Sequence, residues 1–234
     1  MRPFGKVLID GDIVAYRAAF ATQGKPESNA IDKTEDLMSY ILSKTLVFPD
    51  PSSYTVYLTG KGNFRNEVAK THVYKGNRKE IPNPDHLLII RQYLQDKYQA
   101  VVSSGEEADD LIAIAATQYG KDTVVASIDK DMLQIPCNHY NFTKNQWTTV
   151  TEFEGTVFFY TQILTGDNVD NIKGLYGVGP VKASKMLEGC NDEFDLWKVV
   201  LKAYDGDYNR VVENARLLWL RREVGQIWEP PVPF

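Results

Sequence analysis

Short apolar runs recur along this chain, and between them lie longer stretches whose apolar positions fall three and four apart. Lys6-Val7-Leu8-Ile9-Asp10 is the first run, and it reads as a buried strand ending on an acid, with Gly11 permitting a sharp turn. Residues 12 to 20 read as a helix, and Ile31 to Phe48 as an amphipathic helix carrying Leu37, Tyr40, Ile41 and Leu46 on its apolar side. After the turn cluster Pro49-Asp50-Pro51-Ser52-Ser53 comes a second strand, Tyr54 to Leu58, opening into the polar loop Thr59-Gly60-Lys61-Gly62-Asn63. A helix from Asp85 to Lys97, a strand at Ala100-Val101-Val102, a helix from Ala108 to Tyr119 and a strand from Thr123 to Ser127 follow. Such alternation predicts an α/β fold, a mostly parallel central sheet flanked by helices. Residues 138 to 151 read as a β-hairpin with Lys144-Asn145 at its tip, and from Phe158 onward the pattern predicts helices alone, about 192 to 204 and 208 to 222 among them. Trp197, Leu217, Leu218 and Trp219 fall on their core faces. The expectation is a core over residues 1–157 and a C-terminal helical lobe over 158–234.

Composition changes that picture little, but the placement of charge changes it more. The chain has 234 residues, 43% hydrophobic, enough for a sizeable core, and no run of about 18 apolar residues that would span a membrane. The N-terminus has no apolar signal core, and Cys137 and Cys190 form neither a disulfide framework nor a zinc pattern, so a reducing cytoplasm is expected. The formal net charge is −5, yet ten acids sit in four short clusters, and setting those aside leaves the remainder at +5.

The densest cluster is Gly105-Glu106-Glu107-Ala108-Asp109-Asp110, four carboxylates ahead of an apolar helix. At helical spacing they repel one another. Ser104-x-x-Glu107 fits a capping box, and acids in a first turn suit the helix dipole, which is the structural explanation. A hard cation drawn to carboxylate oxygens is the chemical one. Asp10 with Asp12, Asp129 with Asp131, and Asp167 with Asp170 are the other clusters, each after a strand or in a turn and almost free of histidine and cysteine. Oxygen-only ligation favours Mg2+ or Mn2+ over zinc, and two such ions about 4 Å apart serve phosphodiester hydrolysis. From Phe64 to Lys79 the bases Arg65, Lys70, His72, Lys75, Arg78 and Lys79 interleave with Phe64 and Tyr74, a pattern that can track phosphates and stack on bases. The bend Gly174 to Lys182 runs into a helix near Pro180, where backbone amides favour a phosphate. These features together point to a metal-dependent nuclease.

The order of the motifs is itself informative. Leu8-Ile9-Asp10-Gly11 with Tyr16-Arg17, Tyr74-Lys75-Gly76-Asn77-Arg78, Glu107-Ala108-Asp109-Asp110, Asp129-Lys130-Asp131, and Gly166-Asp167-x-x-Asp170 with Gly177-Val178-Gly179 resemble, in this order, the 5'-nuclease family. That family includes flap endonucleases, the 5'-nuclease domain of bacterial DNA polymerase I and the exonucleases of T-odd bacteriophages, and the chain is most similar to the last. The resemblance implies a 5'-3' exonuclease or flap endonuclease, a monomer working in the cytoplasm, the host's if the chain is phage-borne. It would cut DNA at a 5' end, flap or nick, or an RNA–DNA hybrid, by a two-metal mechanism. It places Asp10, Glu107 and Asp109 on a first ion and Asp110, Asp129, Asp131, Asp167 and Asp170 on or around a second. Lys75 and Arg78 would lie at the base of an arch over residues 64–83 and stabilise the scissile phosphate, with Tyr16 stacking on a nucleotide. Arg17, Arg65, Lys79, Gly177, Gly179 and Lys182 join the DNA-binding set, the last three in a helix-three-turn-helix over about 160–189 that can hold K+.

Glu106 and Asp12 lie beside the family positions and outside its motifs. One departure stands out: where the family carries an acid just after the second strand, this chain has Gly60. The departure implies one carboxylate fewer at the first ion; Asp12 is the candidate to compensate in part, unless the turn at Gly11 aims it elsewhere. It also leaves two alternatives open, a DNA-binding protein with impaired catalysis and a PIN-like ribonuclease, the latter opposed by Gly177-Val178-Gly179.

Overall fold

The computed structural model describes residues 5–46, 50–78 and 82–232, and they divide into two compact units. The first comprises residues 1–62 and 82–150, and the second residues 63–81 and 151–234.

In the first unit β1 (Lys6–Asp10) is followed by α1 (Gly11–Ala21), α2 (Glu27–Thr45) and β2 (Tyr54–Lys61). Then come α4 (Leu87–Tyr98), β3 (Val101–Ser104), α5 (Ala108–Tyr119), β4 (Thr123–Ala126), β5 (Asn138–Asn141) and β6 (Gln146–Thr149), α3 (Arg65–Val68) belonging to the other unit. The strands line up as β3-β2-β1-β4-β5-β6, parallel except for β6, which returns antiparallel through the hairpin. Val7, Leu8 and Ile9 are wholly buried, as expected of a strand covered on both faces. Val7 and Ile9 join Val14, Ala18, Met38 and Ile90 in one core beneath α1, α2 and α4, and α5 packs on β1, β2 and β4. Each such Val, Leu or Ile contributes about 1.5–3 kcal/mol on burial. Gly11 is fixed by packing, because a Cβ there would lie 2.6 Å from the Tyr57 carbonyl oxygen. That contact lets α1 leave the end of β1 directly. Strand order reverses between β1 and β4, and in open α/β sheets ligands bind at such a switch point, beyond the strands' carboxyl ends.

In the second unit α3 (Arg65–Val68), α6 (Glu152–Thr165), α7 (Pro180–Leu187), α8 (Glu193–Ala203) and α9 (Tyr208–Leu218) surround Phe159, Ile163, Trp197, Val211 and Trp228. Tyr204 is buried with its hydroxyl donating to Ile163 O at 2.6 Å and accepting from Asn214 Nδ2 at 3.0 Å, so its polar tip is satisfied. No helix among the described residues is long and apolar enough to cross a membrane.

The elements differ from expectation at their ends. α2 starts at Glu27, four residues before Ile31, because the polar residues Glu27 to Asn29 need no buried face; Phe48 and Pro49 lie outside the described residues. β2 continues through Thr59 and Gly60 to Lys61, pairing with β3 across a register shift. α6 begins at Glu152, where Thr151 and Glu154 form a capping box, so the second unit opens before residue 157. The region after Phe158 is not purely helical either, since β7 (Gly166–Asp167) and β8 (Ile172–Lys173) make a two-stranded ribbon.

Candidate active site

The end of β1 delivers Asp10 to the carboxyl edge of the sheet, where its side chain also caps α1 by accepting from Ile13 N at 3.0 Å. Its other oxygen accepts from Ser127 Oγ at 2.7 Å, and the same hydroxyl accepts from Asp129 N at 3.0 Å. Ser127 therefore ties the ends of the two switch-point strands together. Burial pushes the Asp10 carboxyl up to about 7, against the pull of the Ile13 and Ser127 hydrogen bonds, and the charges of Asp12 and Asp129 push the same way. Asp131 follows on a 3-10 turn whose amide donates to Asp129 Oδ1 at 2.9 Å.

β3 feeds the acidic stretch onto the same edge. The helix cap is Glu107, not Ser104: α5 starts at Ala108, and Asp110 at its third position accepts from Glu107 N at 3.2 Å, one arm of a capping box. Asp110 is fully buried, Glu107 and Asp109 are half-buried, and Glu106 is buried with its carbonyl accepting from Ser103 Oγ at 2.5 Å.

Asp12 is engaged elsewhere. It forms an ion pair with Arg91 of α4 and accepts from Thr59 N at 2.9 Å, while Arg91 also donates to Thr59 O. Thr59 Oγ1 in turn accepts from Ala108 N at 3.0 Å. This chain of bonds joins the first turn of α1, which Asp10 caps, to the first turn of α5, which Glu107 caps. Gly60 lies inside β2, where a Cβ would come within 1.9 Å of the Ser103 carbonyl oxygen. No carboxylate fits there, and the side chain that β2 presents to this cluster is that of Thr59.

In the second unit Asp167 is buried and its Oδ1 accepts from Val169 N at 2.7 Å and Asp170 N at 3.3 Å. Asp170 gathers three residues of the Tyr74-to-Arg78 motif: Tyr74 OH donates to it at 2.8 Å, Arg78 at 2.7 Å, and Lys75 Nζ lies 3.8 Å away. Gly177 has φ +70°, Gly179 caps α7, and Lys182 is exposed in its first turn. Tyr16 and Arg17 are exposed on α1. Arg65 corrects the sequence expectation: it is 2% exposed and donates to Leu217 O and Trp219 O, both at 2.8 Å. A guanidinium that satisfies the last carbonyls of α9 is a structural clamp. Lys79 lies outside the described residues.

The donor set suits a divalent cation. Asp10 is buried beside Asp12 and Asp129 in a setting that raises its proton affinity, and a hard cation relieves the same electrostatic cost without a proton. Among the described residues, no three histidine, cysteine or acidic side chains close into a ready-made cage. Asp10, Asp110 and Asp129 each accept from a local amide or hydroxyl instead. Sequence reasoning missed Ser127, Thr59 and Arg91, whose roles depend on partners 32 to 117 positions away.

Comparison with known proteins agrees. A family model described as the 5'-3' exonuclease, N-terminal resolvase-like domain, matches residues 6–161. A 5'-3' exonuclease of Mycoplasma genitalium is 31% identical over 214 residues, 78% of this chain and 71% of that protein. The flap endonuclease Xni of Shewanella sp. (strain ANA-3) is 27% identical, covering 77% and 74%. The bacteriophage T5 flap endonuclease, solved in a pseudo-enzyme-product complex with DNA and metal ions, has the same fold at a TM-score of 0.69, with 18% identity over 91% of this chain and 88% of that one.

Proposed function

The chain belongs to the 5'-3' exonuclease family, and from that premise we propose that it is a structure-dependent 5'-nuclease whose Asp10, Glu107, Asp109, Asp129 and Asp131 hold Mg2+ or Mn2+ and whose substrate is DNA with a 5' end, flap or nick. The observation that supports this best is the buried Asp10 carboxylate, tied through Ser127 to Asp129 at the switch point of the sheet. When bound, the cations supply a nucleophilic hydroxide and stabilise the leaving oxygen. The protein's own part is to hold the carboxylates in place. Ser127 orients Asp10, and the Arg91–Asp12–Thr59–Ala108 chain sets the start of α5, so that Glu107 and Asp109 are positioned while Asp12 is kept on a guanidinium. Asp110, buried on the Glu107 amide, shapes the helix start. Asp167 and Asp170 enter the proposal through the motif resemblance. In the same proposal Lys182 and the amides around Gly177 and Gly179 grip duplex phosphates, with K+ on backbone carbonyls, and Lys75 and Arg78 exchange Asp170 for substrate phosphate.

The test is Asp129→Asn on a 5'-labelled flap duplex. Cutting should fall by at least 100-fold with duplex affinity in Ca2+ unchanged. Joint loss of binding and folding would mean that Asp129 is structural. Asp167→Asn in the same assay should slow cutting and spare binding.

A further inference from the structure

Resting on the nuclease reading, we propose that Phe20 is a second stacking platform, one helical turn beyond Tyr16, so that α1 carries two successive unpaired bases of the substrate strand. Phe20 is 61% exposed and Tyr16 39%, unlike Val14, Ala15, Ala18 and Ala19, which are buried in the core of the first unit. The two rings lie 6.2 Å apart between centroids, with planes inclined by only 27°. An isolated exposed apolar side chain is ordinary. Two aligned rings on the outer face of a helix that starts at a candidate metal ligand are a more specific arrangement. At 1.5 Å per residue, Tyr16 lies about 9 Å and Phe20 about 15 Å along the helix from Asp10.

The occupant follows from spacing and charge. Bases along a duplex strand follow each other at about 3.4 Å, each face covered by its neighbour. Rings 6.2 Å apart therefore suit bases drawn out of the stack, whose faces are bare. Arg17, exposed on the same helix beside Tyr16 in sequence, supplies positive charge for the backbone of the bound strand. Sequence-tolerant affinity is expected, because every base has a π-face.

The experiment uses the full chain, its Phe20→Ala and Phe20→Trp variants, and flap duplexes carrying 2-aminopurine at each of the three nucleotides next to the cut. Binding is read in Ca2+ and cleavage in Mg2+. The wild type should change 2-aminopurine fluorescence at two successive positions, and Phe20→Ala should lose the one farther from the cut while keeping the other. Phe20→Ala should raise KM about 5- to 100-fold, the range expected for one lost stacking contact, with kcat within about twofold, and Phe20→Trp should restore KM. Because Phe20 is exposed, the melting temperature should not move. Wild-type fluorescence and KM in Phe20→Ala would overturn the platform, as would a dimer that Phe20→Ala dissociates with DNA binding unaltered. A wild type that binds in Ca2+ and never cuts in Mg2+ would strike the nuclease reading alone, and the fluorescence would still decide the platform.

Discussion

Replacing Asp10 with asparagine should make the metal-free protein more stable while destroying its site. In the folded chain the carboxyl is fully enclosed and its proton affinity is raised to about 7 from an ordinary value of 3.8. Between those two pH values the folded state binds the proton and the unfolded state releases it, so stability falls as pH rises and levels off above 7. At about 1.4 kcal/mol per pH unit, the three-unit gap corresponds to an upper bound of about 4 kcal/mol at pH 8. Asparagine has no such cost. Its carbonyl oxygen still accepts from Ile13 N, and its amide donates to Ser127 Oγ in place of accepting from it. Thermal melts of both proteins in EDTA from pH 4 to 8 provide the assay. Asp10→Asn should melt several degrees above the wild type at pH 8, at about 2–4 °C per kcal/mol for a chain of this size, and the gap should close toward pH 4. Saturating Mg2+ should reverse the order at pH 8, because the wild type gains binding free energy that the variant has lost. A variant that melts with or below the wild type at pH 8 in EDTA, or a gap independent of pH, would refute the assignment of Asp10 as a strained, cation-seeking carboxylate.

Other substitutions separate positioning from ligation. Gly60→Asp should lower stability by several kcal/mol and raise no activity, since its Cβ would meet the Ser103 carbonyl; a faster enzyme in single-turnover cleavage would contradict this. Arg91→Ala should cost about 1–3 kcal/mol in denaturant unfolding and raise the Mg2+ concentration for half-maximal rate, with Arg91→Lys recovering part of both. Arg65→Ala should destabilise by about 2–4 kcal/mol and leave the salt slope of DNA binding alone, whereas Lys182→Ala should leave stability alone and reduce that slope by about one.

Legibility in the sequence tracked the range of the interactions involved. The apolar run 6–10 and the helix 108–119 were readable to the residue, because β1 is buried on both faces and α5 has a clear apolar repeat. The acids at strand ends were equally plain. What escaped were features that depend on distant neighbours. Arg65 stands among surface bases, and carbonyls at the end of α9, more than 150 positions away, help to hold it inside. Gly60 looked like a lost acid because sequence shows residue type and not clearance, and the neighbouring β3 backbone excludes any side chain there. Asp12 looked like a spare ligand until Arg91, 79 positions on, was seen to hold it. Ser104 satisfied the capping-box spacing, but β3 runs through Ser104, so the cap falls to Glu107.

The central claim, hydrolysis of DNA at a cation site on the edge of the parallel sheet, is tested most directly by single-turnover cleavage of a 5'-labelled flap duplex across a Mg2+ titration from EDTA to saturation. The account predicts no cutting in EDTA, a rate that rises with a slope approaching two in log concentration before it saturates, and one product set at the flap junction. Tight binding of the duplex with no cleavage at any Mg2+ concentration would contradict it.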